Sequence, residues 1–131
     1  MERTVTNRKK SVRDLEPAVR FYEAVLATIG YKKLLARPGT VGFGKTYPEF
    51  WINLRQAMTP VESDSGSHVA LRAPTVAAVD AFHAAAVAAG GRSDGASGRR
   101  PVYGEAYYAA FIRDLDGNRV EAVTFVQAGR R

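Results

Sequence analysis

Two stretches of the sequence place their apolar residues every three or four positions, the period of one face of a helix. The first lies between Asp14, a favourable N-cap, and Gly30, a favourable stop. Its apolar positions are Val19, Tyr22, Val25, Leu26 and Ile29. The second begins at a Thr75 cap and ends at the pair Gly90-Gly91, and it is rich in alanine. Alanine favours helix and gives a slim profile for packing on a sheet. The pattern therefore predicts two helices.

Elsewhere apolar and polar residues alternate with the period of two that is typical of β-strands. The predicted strands cover residues 31–37, 41–45, 50–55, 68–72, 107–113 and 119–126. Asp116-Gly117-Asn118 supplies strong turn chemistry, so the last two strands are predicted to form a hairpin. We expect a turn near Pro48, and we interpret residues 90–98 as a glycine-rich loop.

The predicted elements repeat one order: a strand, a helix and three strands, followed by a strand, a helix and two or three strands. The simplest interpretation is a duplicated βαβββ unit, an α+β domain whose helices lie outside the sheet. We expect one domain over residues 1–131, with a first module at 3–55, a linker at 56–65 and a second module at 66–127. Residues 4–12 lack clean alternation. They are predicted as a strand only because the repeat requires one, and their three consecutive cations suit a sheet edge.

Length and composition favour one globular domain, with 131 residues of which 46% are apolar and 24% charged. The absence of cysteine excludes disulfides, thiolate metal sites and cysteine nucleophiles. No apolar run approaches the roughly 20 residues of a membrane span. The N-terminus lacks the apolar core of a signal peptide. These absences predict a cytoplasmic protein without a membrane partner.

The net charge of +6 is concentrated at the two ends of the chain. Residues 1–13 hold five basic side chains and one acidic side chain, and the last two residues are both arginine. Residues 14–129 balance, with 12 basic and 12 acidic side chains. A nucleic-acid-binding domain carries its positive charge as a patch on the folded body, so no specific nucleic-acid partner is predicted.

Glu121 is the most unusual carboxylate, because it lies in the middle of an apolar strand. There an ionised carboxylate is costly unless it is paired or bound to metal. Alternation places it on the face of Val123 and Phe125. The two histidines are His68, at the start of a strand, and His83, on the flank of the second helix.

His68 and Glu121 come from different strands and are residue types that a divalent ion binds. Two protein ligands are fewer than the three of a typical catalytic zinc site. The alternative is that these two side chains pair with each other, or with Arg72, Arg113 or Arg119. Aromatic residues cluster at 47–51 and 103–111, and half of them are expected to line a pocket rather than the core.

These residues resemble the vicinal oxygen chelate superfamily, the group of glyoxalases, bleomycin-resistance proteins and extradiol dioxygenases. The segments that carry the resemblance are Asp14-Leu15-Glu16, Phe21-Tyr22, residues 30–34, 50–52, 66–70, 78–82 and 107–111, and Asp114 through Val123. The resemblance implies two βαβββ modules forming a cupped mixed sheet with helices outside. Its concave face would hold a metal ion or a small-molecule ligand, and the chain would pair as a homodimer.

The resemblance assigns roles to particular residues. His68 and Glu121 match two metal ligands, and Glu121 would also be the catalytic residue. The family's histidine on the first strand is replaced here by Asn7, and Gly104 stands where close relatives carry another histidine. We see no clear carboxylate at the family's fourth ligand position, on the strand over residues 50–54. The predicted substrate pocket comprises Asn7, Trp51, Tyr107 and Phe111.

Two functions follow from this incomplete ligand set. The first is a small-molecule-binding protein of unassigned substrate whose metal site is degenerate or absent. The alternative is an enzyme using one divalent ion (Zn²⁺, Ni²⁺, Mn²⁺ or Fe²⁺). It would be a glyoxalase-type lyase or isomerase, or a thiol transferase conferring antibiotic resistance. The sequence leaves enzyme and binding protein both open.

Overall fold

The structure is a computed structural model that describes residues 9–57 and 68–126. The first half contains β1 (Lys9–Val12), α1 (Leu15–Ala27), β2 (Lys32–Arg37), β3 (Thr40–Gly44) and β4 (Pro48–Leu54). The second half contains β5 (His68–Arg72), α2 (Val76–Ala88), β6 (Arg92–Arg99), a short 3₁₀ turn (Pro101–Tyr103), β7 (Tyr107–Arg113) and β8 (Arg119–Phe125). Of the predicted linker, residues 58–65 lie outside the described part.

Hydrogen bonding joins the strands into two sheets of four with the same order, β1-β4-β3-β2 and β5-β8-β7-β6. In each half, the first strand along the chain pairs in parallel with the fourth: β1 with β4, and β5 with β8. The other neighbouring strands pair antiparallel. The helix between the first two strands of each half packs on one face of its sheet. This arrangement confirms the predicted α+β fold of two βαβββ units with external helices.

One apolar core joins the two halves. Its largest fully buried side chains include Tyr22, Phe43, Phe50, Phe82, Leu71 and Ile112. The two helices contact each other. At their junction Gly91 leaves room for Phe21, because a Cβ on Gly91 would lie 2.9 Å from the Phe21 ring. Burial of this shared apolar surface stabilises both halves together.

The interpretation of residues 90–98 as a loop is wrong. Residues 92–99 form the edge strand β6, which pairs antiparallel with β7 through two register shifts, at Ser93/Gly95 and at Gly95/Gly98. Its glycines and serines hide the alternation that marks a strand, so backbone pairing with β7 stabilises it instead. A Cβ on Gly95 would lie 3.1 Å from the Phe111 ring, so the glycine allows that ring close to β6.

Three smaller expectations have different outcomes. The turn between β3 and β4 lies at residues 45–47, directly before Pro48, as predicted. Asp14 occupies the N-cap position of α1, but its side chain makes no capping hydrogen bond. Thr75 caps α2 as predicted, because its hydroxyl accepts a 3.0 Å hydrogen bond from the Ala78 amide. The first strand, Lys9–Val12, lies at a sheet edge, as its cations indicated.

The β7–β8 turn is tied to the first half by polar contacts. The Asn118 side-chain amide donates to the Ser11 carbonyl oxygen at 2.9 Å. The Arg13 guanidinium donates to Asp116 at 2.8 Å. These bonds cross from the second module to β1 and its exit. They fix the orientation of the hairpin that carries the candidate site.

Within the described ranges, neither helix is long and apolar enough to cross a membrane.

Candidate functional site

A second apolar cluster lies on the face of the β7–β8 hairpin that points away from α2. Ala109, Phe111 and Val123 are buried in it, and Tyr107 packs against them. We call the face that holds this cluster the inner face. Its residues are Tyr107, Ala109, Phe111 and Arg113 of β7, Arg119, Glu121, Val123 and Phe125 of β8, and Ala70 and Arg72 of β5. The predicted alternation of β8 is confirmed, because Val120 and Ala122 belong to the main core on the opposite face.

Glu121 is buried on the inner face, with 2% of its surface exposed. The Tyr107 hydroxyl donates a hydrogen bond to its Oε2 atom. Tyr107 stands opposite Phe125 in the ladder, whereas Glu121 stands opposite Phe111. The tyrosine side chain therefore runs along the face, over the Ala109–Val123 pair, to reach the carboxylate.

Burial, followed by the bond to Glu121 and that residue's negative charge, raises the pKa of Tyr107 well above its usual value. The hydroxyl is thus held protonated and acts as a donor. A hydrogen bond between a hydroxyl and a carboxylate is about twice as strong as a neutral one. Tyr107 therefore partly compensates the cost of burying Glu121.

Asp94 of β6 pairs with two guanidinium groups at the turn end of the inner face. Arg113 is 3% exposed, and its Nε lies 3.1 Å from Asp94 Oδ2. The Arg119 Nε lies 2.9 Å from the same oxygen, an ion-pair distance without the alignment of a hydrogen bond. Arg113 also donates to the Gly117 carbonyl oxygen at 3.0 Å. One carboxylate therefore serves two cations.

Three guanidinium groups stack on inner-face rings. The Arg119 guanidinium carbon lies 4.4 Å from the Phe111 ring centroid, and that of Arg100 lies 5.5 Å from the same centroid. Arg72 lies 4.6 Å from the Phe125 centroid. Such contacts fix the planes of the guanidinium groups while leaving their N–H edges available.

Aromatic rings continue along the face toward the open end of the hairpin. Tyr107 lies 5.1 Å from Tyr103 and 5.4 Å from Phe125, between ring centroids. Tyr103 is 61% exposed and Phe125 is 49% exposed. The inner face thus combines a buried carboxylate, several guanidinium groups and a row of partly exposed aromatic rings.

The structure brings three of the predicted site residues together: Glu121, Tyr107 and Phe111. Trp51 lies in the other sheet, on β4, where its ring packs over Gly42; a Cβ there would come within 2.9 Å of Trp51. Asn7 and the side chain of His68 lie outside the described residues. The His68 backbone begins β5 opposite Arg119, with Ala70 opposite Glu121.

Sequence reasoning missed Asp94 and Arg100 as neighbours of the inner face. Asp94 lies in the segment interpreted as a loop, and Arg100 lies in a segment to which no element was assigned. No alternation pattern could therefore assign either residue to a face. It named Arg72, Arg113 and Arg119 only as alternative partners for His68 and Glu121. His83 lies on the flank of α2, as predicted, with its Nε2 2.7 Å from the Ser93 hydroxyl.

The described side chains offer few donors for a divalent metal ion. Among the residues that the structure describes, no three histidine, aspartate or glutamate side chains are grouped closely enough to hold an ion. Glu121 supplies one carboxylate, and one of its oxygens already accepts the Tyr107 bond. The described residues do not by themselves fit the three-ligand pattern of a catalytic metal centre.

A surface depression of about 320 Å³ lies elsewhere, between the start of α1 and the β7–β8 turn. It is lined by Arg13, Asp14, Pro17, Leu115 and Asp116. Its charged pair, Arg13 and Asp116, is already joined by a hydrogen bond. It contains none of the predicted site residues, so the inner face is the better candidate.

Comparison with known proteins agrees with this architecture. Residues 9–122 match the family model of the Glyoxalase/Bleomycin resistance protein/Dioxygenase superfamily. No significant match was found among curated protein sequences.

Solved structures share the fold. A glyoxalase/bleomycin resistance protein from Albidiferax ferrireducens T118 is 31% identical, with a TM-score of 0.77, covering 88% of this chain and 94% of that one. A glyoxalase/bleomycin resistance protein/dioxygenase family enzyme from Burkholderia phytofirmans PsJN is 17% identical, with a TM-score of 0.67 and coverages of 90% and 95%. The fosfomycin resistance protein FosX from Mesorhizobium loti is 20% identical, with a TM-score of 0.61 and coverages of 88% and 86%. The chain therefore belongs to the glyoxalase/bleomycin resistance protein/dioxygenase superfamily.

Proposed function

We propose that this protein binds a small molecule on the inner face of its second sheet, without requiring a metal ion. The observation that carries the proposal is the second apolar cluster of Ala109, Phe111 and Val123. An outward sheet face of an α+β domain is ordinarily polar. Here it is apolar and aromatic and surrounds one buried carboxylate, the composition typical of a ligand site.

The contacts of Glu121 support a role in orienting a ligand. Its carboxylate is held in place by the Tyr107 hydroxyl, so it presents a fixed acceptor within an apolar surface. A few fixed polar groups among apolar side chains give a pocket its specificity. Phe111 stands directly opposite Glu121 in the ladder, and its ring supports the Arg119 and Arg100 guanidinium groups beside the carboxylate.

The test is a screen of chemically diverse small molecules by thermal shift, followed by NMR of amide shifts for each hit. Shift changes are expected on β7 and β8, and they should persist after dialysis against a chelator. Phe111→Leu should weaken binding, whereas Val87→Ala, at an exposed position of α2, should not. Hits whose shift changes lie only outside the inner face would contradict the proposal, as would hits that need added metal.

A metal-dependent enzyme of glyoxalase type is the second candidate. It is favoured by the placement of His68 and Glu121 on adjacent parallel strands. His68 pairs with Arg119, two residues before Glu121, so both positions belong to one face of the sheet. With the family's first-strand histidine replaced by Asn7, such a site would need donors from a ligand or from water to complete it.

Elemental analysis and titration with Ni²⁺, Zn²⁺, Mn²⁺ or Fe²⁺ would distinguish the two candidates. The enzyme hypothesis requires about one ion per chain, lost in His68→Ala and in Glu121→Gln but retained in His83→Ala. Ligand binding that is unchanged in metal-free protein would support the binding-protein hypothesis. The substrate pocket would then rest on Tyr107 and Phe111. Of the other two predicted positions, Trp51 lies on the first sheet and Asn7 lies outside the described residues.

We also propose that the chain acts as a homodimer, since members of this family often pair. Exposed apolar side chains beside the inner face support this, with Val102 at 87% and Tyr103 at 61% exposure. Light scattering coupled to size-exclusion chromatography should give twice the chain mass of 14.2 kDa. A Val102→Asp variant should shift the mass toward the monomer if this patch forms the interface.

A further inference from the structure

The inner face of the second sheet carries more cations than anions. Four guanidinium groups lie on or against it, from Arg72, Arg100, Arg113 and Arg119. The carboxylates placed with them are Asp94 and Glu121. Residues 14–129 as a whole are balanced in charge, so this excess is local to one surface.

Two of these cations have no carboxylate at ion-pair distance among the residues that the structure describes. Arg72 contacts the Phe125 ring. Arg100 contacts the Phe111 ring and donates to the backbone carbonyl oxygens of Ala96 and Arg99. Neither Asp94 nor Glu121 lies at ion-pair distance from these two guanidinium groups. A bound anion would supply a partner for their charge.

Arg119 is the best placed of the four to contact a ligand. Its side chain is 27% exposed, in contrast to the 4% of Arg113. Asp94 approaches its Nε, and Phe111 supports one flat face. Among the residues that the structure describes, none hydrogen-bonds to the terminal N–H groups of Arg119, and these groups can therefore bind a ligand. A guanidinium fork binds carboxylate or phosphate oxygens in a bidentate manner, and its flat face stacks on planar groups.

We infer that the ligand of the inner face is an anion with a flat, apolar body, such as an aromatic carboxylate. Its charge pairs with the Arg119 and Arg100 guanidinium groups, which share the Phe111 ring. Its flat part lies along the stacked guanidinium groups and the aromatic row of Tyr103, Tyr107 and Phe125. This inference rests on the proposed function and specifies the substrate class of that same face.

The arrangement also disfavours cationic ligands. A positive group entering this face would meet at least two unneutralised guanidinium groups, and like charges at close range repel. Glu121, the acid beside the apolar cluster among the described residues, already accepts a hydrogen bond from the Tyr107 hydroxyl. The charge of the face therefore selects for anions by attraction and against cations by repulsion.

The experiment titrates the full chain with three matched probes by isothermal calorimetry. These are 2-naphthoate, its neutral amide 2-naphthamide, and the non-planar anion cyclohexanecarboxylate. We expect 2-naphthoate to bind at least about tenfold more tightly than either of the others, because it alone offers both charge and planarity. Its affinity should also fall as NaCl is raised, whereas that of 2-naphthamide should not.

Single substitutions test which guanidinium groups contribute to the binding of 2-naphthoate. Arg119→Gln and Arg100→Gln should each weaken 2-naphthoate binding about tenfold, and leave 2-naphthamide unchanged. Arg20→Gln, on the exposed side of α1 where Arg20 faces Glu16, is the matched control and should change neither. Arg100 makes no ion pair with a described residue, so its variant keeps the test valid should Arg119→Gln unfold.

Equal affinity for naphthoate and naphthamide would overturn the inference, and so would equal losses in Arg20→Gln and Arg119→Gln. If no probe binds, the anion inference also fails. The proposed function is decided separately, by whether any hit of the diverse screen shifts the inner-face amides. The two failures are therefore distinguishable.

Discussion

The Tyr22 hydroxyl of α1 donates a 2.5 Å hydrogen bond to Asp114 Oδ2 at the end of β7, 92 residues along the chain. Both residues are buried, Tyr22 completely and Asp114 to within 4%. Asp114 also accepts hydrogen bonds from the Asp116 amide and from the Asn118 amide and side chain. A single carboxylate thus shapes the β7–β8 turn and binds it to the helix of the other module.

Asp114→Asn should destabilise the fold by about 1–3 kcal/mol. Both carboxylate oxygens accept hydrogen bonds, and an amide NH₂ in place of Oδ2 would face the Asn118 NH₂ donor. Urea unfolding at pH 7 measures the change. Asp80→Asn, at an exposed position of α2, is the control and should stay within about 0.5 kcal/mol of the parent. Equal effects of the two variants would contradict the role of Asp114.

The burial of Tyr22 should make the free energy of unfolding depend on pH in the alkaline range. Burial and the nearby Asp114 raise the pKa of Tyr22 well above its ordinary value of 10.0. The stabilisation is therefore complete below pH 10 and is lost as the pH rises further, because the unfolded chain releases the proton first. The free energy of unfolding should fall by up to about 1.4 kcal/mol per pH unit from this residue.

Tyr22→Phe removes that proton and tests the assignment. The variant should be less stable at pH 7, since Asp114 loses a donor, yet its stability should depend less on pH between 10 and 12. Urea unfolding of both proteins at matched pH values gives the two slopes. Identical slopes would show that other groups control the alkaline loss.

Tyr107→Phe should cost about 1–3 kcal/mol, because the buried Glu121 loses a charge-assisted donor while the ring remains over Ala109 and Val123. Tyr108→Phe is the matched control on the same strand. The Tyr108 hydroxyl bonds to Asp80 at an exposed site, so its loss should cost less than about 0.5 kcal/mol. Chemical denaturation measures both variants. A loss of stability in Tyr108→Phe as large as that in Tyr107→Phe would argue against a stabilising hydrogen bond from Tyr107 to Glu121.

Two glycines of β3 should respond differently to alanine. At Gly44 a Cβ would lie 2.0 Å from the Tyr47 carbonyl oxygen, a backbone atom of the tight turn, so Gly44→Ala should cost more than about 2 kcal/mol. At Gly42 the obstacles are the Trp51 ring and the Pro48 side chain, at 2.9 and 3.0 Å. Gly42→Ala should therefore displace the single tryptophan and change its fluorescence at a smaller cost. A fluorescence spectrum that Gly42→Ala leaves unchanged would place the Trp51 ring elsewhere.

The elements that the sequence predicted correctly are those specified by short-range signals within their own residues. Thr75 before an alanine-rich run and the Asp116-Gly117-Asn118 turn identify α2 and the hairpin by short-range signals. β6 has no such signal, because its glycines suppress strand propensity and its partner β7 begins only at Tyr107, beyond an intervening 3₁₀ turn. Pairing with a neighbour, and not its own residues, makes it a strand.

In the candidate site too, the sequence predicted what depends on neighbouring residues along one strand and missed what depends on contacts between strands. Alternation along β8 was enough to place Glu121 on the inner face with Val123. It could not show that Tyr107 reaches Glu121 along the strand, nor that Asp94 pairs with two arginines, because both depend on side-chain reach across β6, β7 and β8. Burial of Asp114 was equally hidden, since aspartates of turns are ordinarily exposed.

The core that both halves share determines how cooperatively the protein unfolds. Phe21 of the first half packs beside Gly91 of the second, and the apolar interior is one continuous cluster. Neither half can open without exposing the other to water, so melting should be all-or-none, with equal calorimetric and van't Hoff enthalpies. A fragment of residues 68–126 expressed alone should aggregate, despite containing the whole inner face.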